Sequence, residues 1–485
     1  MSLKEQTVSG VKWNTLATAN NALVQIGKLM ILARLLPKSD FGLIAIVLML
    51  VGFFDIFASL GLSVGIIHKQ NITREQYSSV FWINLIASIV IYGILCICSP
   101  LAVNFFHQDE LALLIPIMGT QLIINAFGKM FFTFKTKELE FKFISIVSIT
   151  GVAIGAIATI IMAYSGMRVY SLVYGMLIQS LVIQVTYAVS GMRKYRILFT
   201  LHVREIFDIL KIGGYQVGTQ VFDYISNKID IFIIGRFFGM EMLGIYNLAK
   251  ELVLKVIQVF NPIITNVATP AFSKIQDNLP LMQTTYLKIL KFLSFVNFPF
   301  FIATFIFAEP ITIFFYGQKM IEVAVFVRIL ALWGLFNSVG NPAGILMISL
   351  GRTDLGFYWT IVRIFITSAV ILIASYFTIY AIAWAQVLIA FSFFFLYWRM
   401  MVYNMSKIPL SKYIAANGMS FFLSALSAVI TAIPLYFTDN LILQYVIIVL
   451  YVLLYITFNF FFNKPFLMEI GNMVFQKPTR HFFIK

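Results

Sequence analysis

The sequence predicts an all-α polytopic membrane protein of about 14 transmembrane helices, arranged as two parallel six-helix lobes followed by two C-terminal helices. Three observations lead to this fold class: the composition, the length of the apolar runs and an internal repeat. Of 485 residues, 60% are hydrophobic and 11% are charged, whereas a soluble domain has about 45–50% apolar and about 25% charged residues. A water-soluble fold could not bury that much apolar surface.

The hydrophobic residues fall into runs of about 20, the number that crosses a hydrocarbon core of about 30 Å at about 1.5 Å per residue. Fourteen such runs are present, and each is predicted to be one transmembrane helix. Their approximate spans are 12–36, 41–62, 79–104, 111–134, 143–165, 169–190, 213–238, 241–263, 288–308, 322–349, 356–377, 378–402, 414–437 and 441–463.

An internal repeat with an offset of 202 residues relates the first span to the seventh. Each carries a polar stripe with the spacing of one helix face. The two stripes are Asn14, Thr18, Asn21, Gln25 and Lys28, and Gln216, Gln220, Asp223, Asn227 and Asp230. Segment 34–42 aligns with 236–244 at the same offset, and an even number of crossings between the repeats makes them parallel.

The repeat and the polar linker between its halves predict the domain organisation. We expect an N-terminal lobe at 1–195, a cytoplasmic linker at 196–211, a C-terminal lobe at 212–405, spans 13 and 14 at 406–463, and a basic cytoplasmic tail at 464–485. No cleavable signal peptide is apparent, because the first apolar segment is long and polar-striped.

The positions of the basic residues predict the topology and argue against nucleic acid as the partner of this chain, whose net charge is +15. With the N-terminus in the cytoplasm, 23 of the 35 Lys and Arg residues fall in cytoplasmic segments. Only Lys38, Arg168 and Lys319 fall in outer loops. This bias follows the positive-inside rule and places both termini in the cytoplasm.

A polar helix face inside a bilayer must face protein or a water-filled cavity, which is where transported substrates bind. Lys28 is therefore a candidate ligand for an anionic headgroup, although pairing with an acid or snorkelling to an interface would also explain it. The candidate substrate-cavity residues are Asn21, Gln25, Lys28, Lys129, Gln220, Asp223, Arg328 and Arg363.

The second stripe also suggests ion coupling, because carboxylates and amides at this spacing can coordinate Na⁺ or exchange H⁺. The candidates are Asn227, Asp230 and Glu251, with a structural ion pair as the competing interpretation. Glu251 also stands four residues before Lys255, in the favourable order for a helical ion pair. Pro342 in span 10 is expected to mark a bend.

The sequence contains no catalytic pattern. A phosphate-binding loop and a His-Glu-x-x-His zinc motif are both missing, and the four histidines are scattered. Cys96 and Cys98 are too close for an ordinary disulfide, so neither a redox role nor a metal role is assigned. Every predicted outer loop is short, which leaves little room for the acid, base and acceptor sites of a membrane polymerase. We therefore expect a protein that is not an enzyme and has no cofactor or metal.

Several segments resemble bacterial polysaccharide and O-antigen repeat-unit flippases, also called lipopolysaccharide biosynthesis proteins, of the multidrug/oligosaccharidyl-lipid/polysaccharide exporter superfamily. The resemblance covers nearly the whole chain. It is carried by Val8–Asn14, Ala33–Gly42, Asn227–Gly239, Leu243–Asn247 and Pro270–Ser273, of which the run from Asn227 to Asn247 is the most specific. It implies two six-helix lobes around a cationic cavity that works by alternating access.

The implied substrate is an undecaprenyl-diphosphate-linked oligosaccharide, moved across the bacterial inner membrane during polysaccharide biosynthesis. The expected partners are this lipid-linked substrate, membrane lipids and the polysaccharide polymerase and export machinery, with the chain acting as a monomer. One alternative is a cation-coupled multidrug antiporter of the same fold, which would need an unpaired carboxylate in the first lobe. The other alternative is a membrane enzyme acting on the same glycan.

Overall fold

The computed structural model describes residues 3–69, 72–202, 206–275 and 277–468, and these residues form helices and connecting turns without a β-strand. A π-helical segment, Trp398–Val402, lies between α15 and α16. The helices are α1 Leu3–Leu35, α2 Lys38–Ala58, α3 Leu62–His68, α4 Arg74–Phe106, α5 Leu111–Lys137, α6 Phe141–Tyr164, α7 Val169–Tyr195, α8 Phe207–Phe237, α9 Gly239–Lys274, α10 Leu279–Ile306, α11 Ala308–Tyr316, α12 Val323–Ser338, α13 Asn341–Ser349, α14 Thr353–Ser375, α15 Ile379–Tyr397, α16 Tyr403–Ser406, α17 Leu410–Tyr436 and α18 Leu441–Phe462.

The helices confirm the predicted all-α membrane fold. Each of the fourteen predicted spans falls on one of the long helices or, for span 10, on the pair α12 and α13. Within the described residues, twelve helices are long and apolar enough to cross a membrane. Helices α8 and α9, of 31 and 36 residues, are long enough as well but carry several charged side chains. The short helices α3, α11 and α16 were not predicted.

Span 10 is interrupted at the predicted place. Helix α12 ends at Ser338, and α13 begins at Asn341, so that Pro342 lies in the first turn of the new helix. A proline is tolerated there because the first backbone N–H groups of a helix have no intrahelical acceptor. The sequence signal thus separates two helices rather than bending one.

Prolines inside other helices leave carbonyls without their usual donor, and neighbouring helices supply one. Pro299 in α10 cannot donate to the carbonyl of Phe295, which instead accepts a hydrogen bond of 2.9 Å from the Tyr455 hydroxyl of α18. An unpaired carbonyl in a bilayer costs several kcal/mol, so a replacement donor is required. The contact explains how α18, which lies outside the internal repeat, is attached to α10.

The linker that joins the predicted lobes is held against α4. Its residues from Arg196 to His202 have no helical structure and hydrogen-bond through their backbone to side chains of α4. The Trp82 indole donates to the carbonyl of Leu198 over 2.8 Å, and the Ser78 hydroxyl accepts from the Leu198 N–H over 3.0 Å. This part of the linker is therefore a fixed strap rather than a free tether.

The described chain divides into two compact units. The first contains Met1–Leu248, Phe315–Lys319 and Arg363–Ile379, and the second contains Ala249–Phe314, Met320–Val362 and Tyr380–Lys485. The predicted lobe boundaries follow the repeat rather than this division and stay a prediction. Most of the predicted basic tail, from residue 469 onward, lies outside the described residues.

The first unit has an aromatic core near the start of α4. Tyr77, Phe81, Phe131 and Phe134 are buried there, and the Tyr195 ring stacks on Phe134 with centroids 4.8 Å apart. Such side chains each bury a large apolar area and hold the ends of α4, α5 and α7 together. This packing fixes the helices on which the polar side chains of the first unit stand.

Candidate functional site

The stripe on α1 faces protein in the first unit from Thr18 to Lys28, whereas its first residue, Asn14, is exposed. The Asn21 amide donates to the Ser148 hydroxyl of α6 over 2.7 Å. Lys28 is only 8% exposed, whereas Leu23, on the opposite face, is 71% exposed. Gln25 between them is half-buried. The helical spacing therefore separated the polar face from the apolar face correctly.

Lys129 of α5 lies beside an acid from α2. Its ammonium is 3.6 Å from a carboxylate oxygen of Asp55, and both side chains are about one-third exposed. The pair is thus reachable by solvent or a ligand despite its position within two apolar helices. Lys129 was predicted as a cavity residue, whereas its acidic partner Asp55 was not.

Asp223 of α8 and Arg363 of α14 meet in the first unit, 140 positions apart in sequence. The guanidinium Nη2 is 3.0 Å from the Asp223 carboxylate, which remains 48% exposed. The Nε of Arg363 is buried and donates to no group in the described structure. This is the clearest case in which the structure brings two predicted cavity residues together. The Arg363 side chain remains 26% exposed beside Asp223, so part of it is accessible to a ligand.

Gln220, one turn before Asp223, is half-buried on the same helix. Tyr224, which follows Asp223, was not predicted as important. Its hydroxyl donates to the carbonyl of Met49 in α2 over 2.9 Å. This bond fixes α8 against α2 just where the charged side chains stand. No spacing pattern marks Tyr224, because its role depends on a helix distant in sequence.

Asp230 is the most enclosed of the predicted ion-coupling residues. It is fully buried and accepts hydrogen bonds from the Tyr246 hydroxyl, over 2.7 Å, and from the backbone N–H of Ile231, over 2.9 Å. Asn227, less than one turn earlier, is exposed. Within the described residues, no group of three or more His, Cys, Asp or Glu side chains is arranged to hold a metal ion.

The remaining candidates lie in the second unit. Glu251 pairs with Lys255 over 3.6 Å along α9, as the helical spacing predicts. Arg328 of α12 pairs with Glu309 of α11 over 3.4 Å, and both side chains are about half exposed. Pairing with Glu309 at an exposed position gives Arg328 a local partner that the sequence analysis did not foresee.

Two apolar cavities lie in the first unit, among the helices that also carry polar residues of the site. One of about 410 Å³ is formed mainly by α2, α4 and α8 and is lined by rings that include Phe54, Phe105 and Phe232. The other, of about 560 Å³, lies between the same helices and the linker and includes Ile86 and Val217. Their linings are almost entirely apolar, so they fit hydrocarbon rather than a polar ligand.

Known proteins resemble this chain in sequence over most of its length. The lipopolysaccharide biosynthesis protein WzxC of Escherichia coli K12 is 26% identical over 375 residues, which are 77% of this chain and 76% of that protein. The teichuronic acid biosynthesis protein TuaB of Bacillus subtilis 168 is 26% identical over 74% of both chains. The succinoglycan biosynthesis transport protein ExoT of Rhizobium meliloti 1021 is 22% identical over 74% of this chain and 73% of that protein.

Solved structures confirm the fold. The lipid II flippase MurJ in an inward closed conformation has a TM-score of 0.73 and 16% identity, covering 93% of this chain and 99% of that one. An inward-facing multidrug resistance transporter of the MATE family, in the MOP superfamily, has a TM-score of 0.61 and 16% identity, covering 80% of this chain and 96% of that one. At these identities the likeness shows a shared architecture of membrane helices.

The family assignment rests on the match to a family of sequences. Residues 31–325 match the family described as polysaccharide biosynthesis protein. The match begins in the last turns of α1, includes the repeated segments and α8 with its charged stripe, and ends at the start of α12. More than half of the chain is covered. This multi-pass membrane protein therefore belongs to the polysaccharide biosynthesis protein family.

Proposed function

We propose that this protein is a flippase that moves undecaprenyl-diphosphate-linked oligosaccharide repeat units across the inner membrane for surface polysaccharide, O-antigen or exopolysaccharide biosynthesis. The observation that carries the proposal is the family match, on a fold made of transmembrane helices. The relatives are named for three different polysaccharides, and one is named a transport protein. A flippase fits all three names, because such glycans are assembled on lipid carriers.

The diphosphate needs cationic partners that a bilayer normally excludes. Arg363 supports this role because its side chain is 26% exposed and lies beside a carboxylate, Asp223, that is itself 48% exposed. An arginine can bind a phosphate through two parallel hydrogen bonds, which makes it a stronger ligand than a single lysine. Lys129 and the nearly buried Lys28 would add positive charge, while Asn21, Gln25 and Gln220 suit sugar hydroxyls. Arg328 would act from the second unit.

The isoprenoid tail needs an apolar surface while the headgroup crosses. The two cavities between α2, α4 and α8 have almost entirely apolar linings and lie within the helices that carry Asp55 and Asp223. The lipid core is as apolar as these linings, so the tail could lie in either place at little cost in free energy while the headgroup crosses. Alternating access, with both termini in the cytoplasm, completes the proposed cycle.

Energy input from Na⁺ or H⁺ belongs to the proposal, with Asn227, Asp230 and Glu251 as candidates. Asp230 supports a proton more than a cation, because both of its carboxylate oxygens already accept hydrogen bonds. We further propose that the protein works as a monomer beside a polysaccharide polymerase and export machinery, and that it makes and breaks no covalent bond itself.

The cation-coupled multidrug antiporter is the alternative within the same fold. That function was expected to need an unpaired carboxylate in the first lobe. The two acids of α2 do not meet this requirement, because Asp55 faces Lys129 and Asp40 accepts a hydrogen bond of 2.9 Å from Arg168. No observation on these helices favours the antiporter over the flippase.

The decisive experiment measures the lipid-linked glycan pool and the surface polysaccharide in a strain that lacks this gene. We expect undecaprenyl-diphosphate oligosaccharide to accumulate on the inner leaflet while surface glycan disappears, and wild-type protein to reverse both changes. Arg363→Lys is the matched variant, since it keeps the charge but loses the paired donors. A normal pool and a normal surface, in a strain without a second flippase gene, would contradict the proposal.

A further inference from the structure

Two glycines at equivalent positions of the internal repeat each lie against the backbone of the other repeat. Gly42 is the fifth residue of α2 and is buried. A Cβ placed on it would overlap the carbonyl oxygen of Met240 and come within 2.8 Å of that carbonyl carbon. Conversely, a Cβ on Gly244 would overlap the carbonyl oxygen of Lys38 and come within 2.9 Å of its carbon. Both backbones therefore meet without any side chain between them.

The contact is reciprocal at the offset of the internal repeat. Met240 stands 202 positions after Lys38, and Gly244 stands 202 positions after Gly42. A Cβ on Gly244 would also lie 3.1 Å from the Gly42 nitrogen, so the two glycines face each other directly. Such an arrangement places the contact on the pseudo-two-fold axis that relates the repeats.

Another close glycine contact in the first unit lacks this symmetry. A Cβ on Gly61 would come within 2.7 Å of the Gly213 Cα, and the two residues are 152 positions apart. That contact attaches the turn before α3 to the start of α8 and is not related by the repeat. The Gly42–Gly244 contact, in contrast, involves equivalent residues of both repeats, so a movement of one repeat against the other would affect both sides of it alike.

A glycine in a helix destabilises it by about 0.5–1 kcal/mol relative to alanine, so close backbone approach is the compensating reason for Gly42 and Gly244. Contacts between a Cα–H and a carbonyl are weak individually. No side chain lies between the two glycines, but Leu43 and Leu243 beside them are almost completely buried. Separation of the two helix starts therefore breaks weak backbone contacts and also exposes apolar side chains. The neighbouring ion pair between Lys38 and Glu241, at 3.7 Å and partly exposed, adds little resistance.

We propose that the Gly42–Gly244 contact is the gate that closes one end of the transport path, and that it separates once in each cycle. This inference rests on the proposed flippase function and adds two residues that such transport would depend on. A search of the sequence for polar or charged side chains does not find these residues, because both are glycines. The starts of α2 and α9 are the moving parts.

A cross-link across the contact tests whether separation is required. Lys38→Cys and Glu241→Cys are introduced after Cys96 and Cys98 are replaced by serine, and a cleavable bifunctional thiol reagent joins the pair. We expect transport of the lipid-linked glycan to stop on cross-linking and to return when a reductant cleaves the reagent. Undiminished transport in fully cross-linked protein would overturn the proposal. The glycines are unchanged in this variant, so their effect on folding does not enter.

Alanine substitutions test the close approach itself. We expect Gly42→Ala and Gly244→Ala each to lower the cross-linking yield and the transport rate by about tenfold, because overpacking opposes closure. The double variant should show the same yield and rate as either single variant, because the first substitution already prevents the close contact and the second removes nothing more. Gly93→Ala in α4 is the matched control, because a Cβ there meets no atom within 4 Å.

The cross-linking yield needs no substrate and therefore separates failure of the gate from failure of the flippase assignment. Unchanged yields in both folded glycine variants would overturn the gate, whatever the protein transports. A lower yield, together with a normal glycan pool in the deletion strain, would keep the gate and reject the cargo.

Discussion

Asp223 and Asp230 lie seven residues apart on the same face of α8, yet their surroundings differ. Asp223 is 48% exposed and faces Arg363, whereas Asp230 is fully buried and accepts hydrogen bonds from Tyr246 and its own backbone. Helical spacing predicts a common face but not a common environment. The comparison teaches that a polar stripe in a membrane helix can combine an exposed, ion-paired end with an enclosed, hydrogen-bonded end.

The largest effect is expected at the enclosed end of the stripe. Asp230→Ala should lower the free energy of unfolding by about 2–3 kcal/mol, because the buried Tyr246 hydroxyl loses this acceptor inside the protein. Thermal unfolding of the purified protein in detergent measures this loss. Tyr246→Phe removes only this hydrogen bond and leaves the carboxylate in place, so it should show a smaller loss.

Asp230→Asn distinguishes structure from ion coupling. If Asp230 is structural, the amide oxygen should retain part of the stability, and transport should keep its dependence on Na⁺ or H⁺. Normal unfolding together with loss of that dependence would instead assign the residue to coupling and make the two ends of the stripe functionally alike.

At the exposed end of the stripe, where Asp223 meets Arg363, substitution should affect transport rather than stability. Arg363→Ala is expected to reduce transport by about tenfold, the loss of about 1.4 kcal/mol of phosphate binding, while the unfolding temperature changes little. Arg363→Lys should recover only part of the activity, because a lysine cannot bind a phosphate through two parallel bonds. Equal losses of stability and transport would contradict the proposed difference between the two ends.

Lys28→Ala extends the comparison to the first stripe. We expect transport to fall while protein abundance is unchanged, if this nearly buried lysine serves the substrate. Abundance by immunoblot and surface glycan by staining measure the two quantities. Full transport in the variant would remove Lys28 from the site, and loss of abundance would place it with Asp230 among the structural groups.

The smallest effect concerns an ion pair outside the spans. Burial alone would raise the pKa of Glu138, but hydrogen bonds of 2.6 Å from Lys194 and Tyr195 outweigh it and lower that pKa. The stabilisation is therefore present above the unfolded-state pKa, about 4.3, and is lost as the pH falls through the lower folded-state value. The unfolding temperature of the wild-type protein should therefore fall slightly more steeply with decreasing pH than that of Glu138→Gln. Identical pH dependence in the two proteins would contradict the prediction.

The sequence predicted the helices well because length and hydropathy alone decide whether a segment can cross a bilayer. It also located the break at Pro342 and the buried face with Lys28. It could not identify the partners across helices, such as Asp55 for Lys129 or Tyr246 for Asp230. Those pairs depend on how helices rotate and approach each other, which no local periodicity encodes.

The functional assignment shows a similar limit. Five segments, of which the run Asn227–Asn247 is the most specific, predicted the family that the match over residues 31–325 confirms. Whether a given charge binds substrate remained open, because an intramembrane arginine has the same spacing whether it faces an acid or a phosphate. Among the eight predicted cavity residues, Asp223 and Arg363 are joined by a hydrogen bond.

The symmetry of the contact between Gly42 and Gly244 also has an evolutionary consequence. In an isologous dimer, residue i of one subunit meets residue j of the other, and the reverse contact follows automatically. The backbone contacts of Gly42 with Met240 and of Gly244 with Lys38 have this form within a single chain. They are the arrangement that gene fusion would preserve from two identical half-length subunits, in which one glycine per subunit would have formed both sides of the contact.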